Sequence, residues 1–118
     1  MTDEELLALC LELPGAWPDS PWGDGVVAKV GGRPGKVFAF PGEGAVALKL
    51  APEDGAELRA AYPEAVGDAR YLSKRHWVRV ALDETVPDDE LRELVEHSYA
   101  LVVRGLPRAQ RPPAGRRG

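Results

Sequence analysis

Between residues 25 and 50, glycine and proline cut the chain into three short runs: GVVAKV (25–30), GKVFAF (35–40) and GAVALKL (44–50). The runs are rich in valine and phenylalanine, which suit a pleated, half-buried surface, and are bounded by residues that punctuate strands. The intervening GGRPG and PGEG read as hairpin turns. Three strands joined by two tight turns pair most simply as an antiparallel meander. Such a meander buries one face, so the flanking segments must supply a cover.

Those segments carry helical patterns. Thr2 and Glu5 form a capping-box pair that opens a helix from Asp3 to about Leu13, stopped by Pro14-Gly15. Leu6, Leu9, Cys10 and Leu13 share its apolar face, which makes Cys10 a packed, inert thiol. PEDGAELRAAYP gives a second helix between Pro52 and Pro63. PDDELRELVEHSYALVVRG gives a third, with Leu91, Leu94, Val95, Ser98, Leu101 and Val102 in one stripe and Arg104-Gly105 at its close. Ser98, inside that stripe, is expected to hydrogen-bond back to its own helix. A fourth strand is expected from about Leu72 to Leu82. The loop PGAWPDSPWGDG has too many turn formers for an element, and Trp17 and Trp22 are expected to pin it to the core. The resulting order, α-βββ-α-β-α, is an α+β domain with helices packed on one face of an antiparallel sheet. At 118 residues one domain is expected, covering 1–106, followed by a disordered basic Pro/Gly/Arg tail, 107–118.

Several functions lack their residues. The longest apolar runs are too short to cross a membrane. The start TDEELL is acidic where a secretion signal is basic, which points to an intracellular, cytoplasmic protein. A single cysteine allows no internal disulfide, and two histidines without cysteine support make no zinc site. GGRPGK has three residues, not four, between Gly31 and Gly35, and Val37 follows Lys36 where a phosphate loop needs Ser or Thr. GDGVVA and GEGAVA fit a dinucleotide glycine pattern formally but lead into strands, so no helix N-terminus meets a phosphate. The serines at 20, 73 and 98 lie in no nucleophile motif. The chain is therefore expected to be no enzyme, to need no cofactor or metal, and to act as a monomer.

The charge pattern bears on partners. Removing the tail's four arginines from the 15 basic residues leaves 11 against 19 acids, a net −8 for residues 1–106. Only a local basic patch can bind phosphate on such a body. YLSKRHWVRV (71–80) is the candidate, since it holds no acid. If it is extended, Val78, Val80 and Leu82 face the core while Arg75, Trp77 and Arg79 share the other face. Arginines beside an aromatic suit phosphate contact with base stacking, and equally suit a solvated face where arginine stems cover the indole.

LPGAWPDSPWG, KVFAF, VALKLAPEDGAELRAAYPEA and YLSKRHWVRVALDETVPDDELRELVEHSYALV together resemble the MmcQ/YjbR family over residues 4–104. The most specific pieces are the Lys-Arg-His-Trp block at 74–77 and Ser98-Tyr99. The resemblance implies a small cytoplasmic bacterial protein with a fold similar to CyaY, the frataxin homologue, and a DNA-binding role through a double wing. It makes Lys74, Arg75, His76, Trp77 and Arg79 the nucleic-acid-binding candidates, with Lys36 and Lys49 on neighbouring strands and Arg33 at the tip of a wing. Two alternatives stay open. One is a protein-interaction or small-ligand module. The other, suggested by the frataxin-like fold, is metal binding through Asp3, Glu4, Glu5 and Glu12.

Overall fold

The computed structural model describes residues 1–23, 25–69 and 76–112. Along the chain come α1 (Asp3–Leu11), β1 (Trp17–Asp19), β2 (Val27–Val30), β3 (Lys36–Gly42), β4 (Ala45–Lys49), α2 (Pro52–Ala61), β5 (Val66–Asp68), β6 (Trp77–Ala81) and α3 (Asp88–Arg104). The strands form one sheet in the order β1-β2-β3-β4-β6-β5, antiparallel at every junction. The expected α+β class holds, and β2–β3–β4 is the expected meander. Two strands were not anticipated. β1 lies inside the turn-rich loop, where Pro18 is tolerated because β1 is an edge strand. β5 is a three-residue strand on the opposite edge, and both edges are short, as exposed edges tend to be.

Each helix follows its local signals. Thr2 Oγ1 accepts from the Glu5 amide at 3.1 Å and Glu5 Oε1 accepts from the Thr2 amide at 2.8 Å, completing the capping box. α1 stops at Leu11, two residues short of the expected end, because Pro14 disfavours helical backbone at Leu13. Pro52 opens α2 at its first turn. α3 has acids in its first turn and Arg104 in its last, both matched to the helix dipole. β6 begins at Trp77. The expected start of this strand, 72–75, lies outside the described residues, and His76 has φ of +66°, a left-handed conformation that interrupts extended backbone.

One buried hydroxyl organises the centre of the sheet. β3 and β4 pair regularly from Gly42↔Ala45 to Ala39↔Leu48. The next pair in that register would bring the Lys49 amide to the Phe38 carbonyl. Ser98 Oγ stands between them instead, accepting from Lys49 N at 2.9 Å and donating to Phe38 O at 2.6 Å. Ser98 is 0% exposed, and its hydroxyl bonds the sheet rather than its own helix, which corrects the expectation of a back-bond. Phe38 is also the extra residue of a bulge, since Ala28 pairs with Ala39 but Lys29 with Val37. The bulge turns Phe38 and Ala39 both into the core, where Phe38 meets Tyr99 edge-on at 5.3 Å.

Past Leu106 the chain runs exposed but hydrogen-bonded as far as Arg111. Arg108–Gln110 form a 3-10 turn, and Arg111 donates from Nε to Leu106 O at 3.0 Å and from Nη2 to Arg104 O at 2.9 Å. These bonds satisfy carbonyls that the end of α3 leaves open. Residues 107–112, expected as part of a disordered tail, are therefore docked by the backbone acceptors just before them. Residues 113–118 lie outside the described part. Gly31, with φ of +97°, is required here, because a Cβ would meet Leu106 at 2.9 Å.

Two outcomes follow for stability. Ser98→Ala strands the Phe38 carbonyl and the Lys49 amide away from water, so it should destabilise the fold by about 2–3 kcal/mol. Urea unfolding should show a lower midpoint with an unchanged slope. Burial pushes the Cys10 thiol up to about 12. Almost no thiolate then exists at neutral pH, and thiol reagents should label Cys10 far more slowly in native buffer than in urea. Because this pKa is raised, the contribution of the buried thiol is fully present below the ordinary thiol value of 9.0 and is lost as pH rises through about 12.

Candidate nucleic-acid interface

Charge is partly sorted along the strand direction, the exception being Glu53 and Asp54, which open α2 just after Lys49. At the β3–β4 turn, Glu43 lies next to Gly44, whose amide donates to Asp3 Oδ1 at 3.1 Å. The N-terminal ammonium at the same end bonds Glu84 at 2.6 Å and approaches Asp88 at 4.0 Å. The α3 acids Asp88, Asp89 and Glu90 follow there. The opposite end of the sheet is where Val30 pairs with Lys36 and Lys49 with Trp77. It gathers Arg33, Lys36, Lys49 and the end of α3 with Arg104, Arg108 and Arg111. From the Gly44 turn to Lys49 is about 17 Å at ~3.3 Å per residue, or about two Debye lengths at physiological salt. The acids of one end are thus largely screened from the bases of the other.

The two sheet faces differ as sharply. α1, α2 and α3 all pack on the face of Val46, Leu48, Val78 and Val80. The other face, from β1 to β6, carries Trp17, Lys29, Phe40, Ala47, Lys49, Trp77 and Arg79, and no described helix covers it. All three tryptophans lie on this side, in three different environments. Trp17 donates from its indole to Gly31 O at 2.9 Å and has the Arg33 guanidinium over its ring at 4.5 Å. Trp77, expected on a solvated face, is only 7% exposed, with Phe40 edge-on at 5.2 Å. It is unavailable for stacking because β3 lays Phe40 across it. Trp22, expected to pin its loop to the core, is 67% exposed and lies nearly parallel to Phe40 (22°, centroids 6.2 Å).

The basic candidates divide accordingly. Arg79 is exposed on the open face beside a shallow trough of about 240 Å³, floored by Gly42, Ala45 and Ala47 and walled by Phe40. Lys49 is its diagonal neighbour on β4, since Arg79 pairs with Ala47 and Trp77 with Lys49. Lys36, Lys49, Val37 and Trp77 line a cleft of about 190 Å³ together with Leu101, Val102 and Gly105 of α3. It lies beside the point where Ser98 bridges β3 and β4. Arg33 is exposed but folds back onto Trp17 rather than projecting as a free wing tip. His76 is exposed in its left-handed conformation at the start of β6, and Lys74 and Arg75 lie outside the described residues. Lys29, which the charge pattern did not single out, is neutralised locally. It donates to Pro34 O at 2.9 Å and pairs with Asp19 at 2.7 Å, and that hydrogen bond holds the Asp19 carboxyl below its ordinary value. None of Arg33, Lys36, Lys49 and Arg79 joins an ion pair among the described residues.

The likeness to known proteins spans most of the chain, including the strands that build this end and face. The sequence model of YjbR matches residues 11–101. The chain belongs to the YjbR family. It is 36% identical over 115 residues to the uncharacterised protein YjbR of Escherichia coli K12, covering 94% of this chain and 95% of that one. To the uncharacterised protein YbdF of Escherichia coli O157:H7 it is 33% identical over 105 residues, covering 83% and 81%. The crystal structure of Deinococcus radiodurans DR2400, with a domain designated DUF419, superposes with a TM-score of 0.82 at 37% identity, covering 93% of this chain and 85% of that one. A Pseudomonas syringae protein superposes at 0.69 with 22% identity, over 86% and 99% of the two chains, and shows the shared fold.

The environments of the three tryptophans in this YjbR-family chain are directly measurable. Acrylamide should quench chiefly Trp22, because Trp77 is enclosed and Trp17 is partly covered by Arg33. Trp22→Phe should shift the remaining emission to the blue and remove most of the quenchable fraction.

Proposed function

We propose that this YjbR-family protein binds DNA weakly and largely without regard to sequence, through the basic end of its sheet and the adjoining open face. The segregation of charge carries the reading. A net −8 body argues against phosphate binding most where its acids stand near the contact. The acids at the Gly44 turn and the start of α3 stand about two Debye lengths away, while Glu53 and Asp54 open α2 close to Lys49, on the helix-covered side. Lys36, Lys49 and Arg79, all outside described ion pairs, offer phosphate contacts from three neighbouring strands, with Arg33 and His76 also exposed at this end and Lys74 and Arg75 just before His76 in sequence. The reading is of a binding protein rather than an enzyme: the Ser98 hydroxyl is fully engaged inside the sheet, with no base at hand. The protein acts as a monomer in this reading. The frataxin-like alternative of metal binding has less support. Asp3 and Glu5 are engaged in backbone hydrogen bonds, and among the described residues no three His, Cys, Asp or Glu side chains gather to hold an ion. Among the described residues no helix is long and apolar enough to cross a membrane.

Fluorescence anisotropy with labelled DNA across a salt series tests this. Two or three phosphate contacts imply a slope of log K against log salt between about −2 and −3, with Kd of roughly 10⁻⁴ to 10⁻⁶ M. Replacing both Lys49 and Arg79 by alanine should flatten the slope by roughly 2 and weaken binding to all sequences alike. Replacing Arg116 and Arg117 should leave most of the binding in place, which separates the domain from its basic tail. Equal binding by the Lys49/Arg79 double variant would overturn the assignment.

A further inference from the structure

We infer that the nucleic acid this face takes is single-stranded, and that one of its bases stacks on the outer face of Trp22. The inference rests on the nucleic-acid reading above and narrows it. Trp22 is the most exposed large apolar side chain among the described residues. Phe40 supports one side of its indole nearly in parallel, at a centroid distance of 6.2 Å, which leaves the other side open. A loop tryptophan braced from behind and bare in front is already oriented for a flat partner, so little ordering remains to be done on binding. Trp77 in turn braces Phe40 edge-on, so the row Trp77–Phe40–Trp22 runs from the basic end out across the open face.

The surroundings favour a polyanion with exposed rings. The trough beside Phe40 is floored by Gly42, Ala45 and Ala47, small residues that let a planar group approach the sheet, and Arg79 lines its rim. Lys49 and Arg79, diagonal neighbours on β4 and β6, are about 7–8 Å apart at their Cα atoms and point to the same side. Of the described strand acids, Asp19 is bound to Lys29 and Asp68 to Arg59, so no free strand carboxylate opposes a phosphate there. A duplex presents phosphates and base edges but hides its base faces. The one bare aromatic face, that of Trp22, is matched instead by an unstacked base, with cations beside it for the backbone.

The test uses the full-length protein, an oligothymidine of about 12 nucleotides, within the usual site size for single-strand binders, and its duplex with oligoadenosine. The expected result is tighter binding of the single strand, with quenching of tryptophan emission that is absent in Trp22→Ala. That variant should bind oligothymidine roughly tenfold more weakly while its duplex binding and its Tm stay unchanged, and Trp22→Phe should recover most of the affinity. Equal or tighter binding of the duplex, unaffected by Trp22→Ala, would overturn the single-strand inference and leave the nucleic-acid reading standing. Binding of neither probe at low salt would overturn both, and would leave the exposed Trp22 to a protein partner.

Discussion

The bond from the Lys49 amide to the Phe38 carbonyl, through the Ser98 hydroxyl, is the point on which the rest of the sheet depends. A hydroxyl both accepts and donates, so one side chain can replace a direct ladder bond and leave neither strand unsatisfied. The substitution parts β3 and β4 by the width of an oxygen and ties both strands to α3. The next residue, Tyr99, donates its hydroxyl to Pro14 O and meets Phe38 edge-on, so the same helical turn also secures the turn after α1. Buried polar groups are expensive only when unpartnered. Here the pairing is complete, and the cleft between Lys36 and Lys49 opens beside it.

Much of this architecture is legible in the chain. Gly/Pro punctuation announces β2, β3 and β4, the 3.6-residue stripe announces α3, and Thr2 with Glu5 announces the start of α1, because each signal is local. The parts that are not legible depend on partners distant in sequence. Ser98 looks like a polar residue on a helix stripe until Phe38 and Lys49 are brought to it from 60 and 49 residues away. β1 hides in a loop because Trp-Pro-Asp carries no strand pattern and is extended only by pairing with β2.

The candidate site shows the same division. Alternation along 77–80 placed Val78 and Val80 inward and Arg79 outward, and the structure agrees. It said nothing of Phe40 crossing over Trp77, which reverses the roles of two tryptophans: the strand residue is enclosed and the loop residue is bare. The net charge is silent about arrangement for a related reason. A sum over the chain discards position, and in this fold position decides which charges an approaching ion meets.

That separation of charge also gives the molecule a heading. α3 runs the length of the domain with acids at its start and arginine at its end, parallel to the division in the sheet. Along α3 the side-chain charges form a dipole opposite in sense to that of the helix. A polyanion drifting up from any side exerts a torque on such a body as well as a force, turning the acidic end away before surfaces touch. On the proposed function, orientation would then be settled during approach, at distances where no hydrogen bond or ring contact yet operates, and a chain whose overall charge is negative would still turn the Lys36–Lys49 end toward an anion.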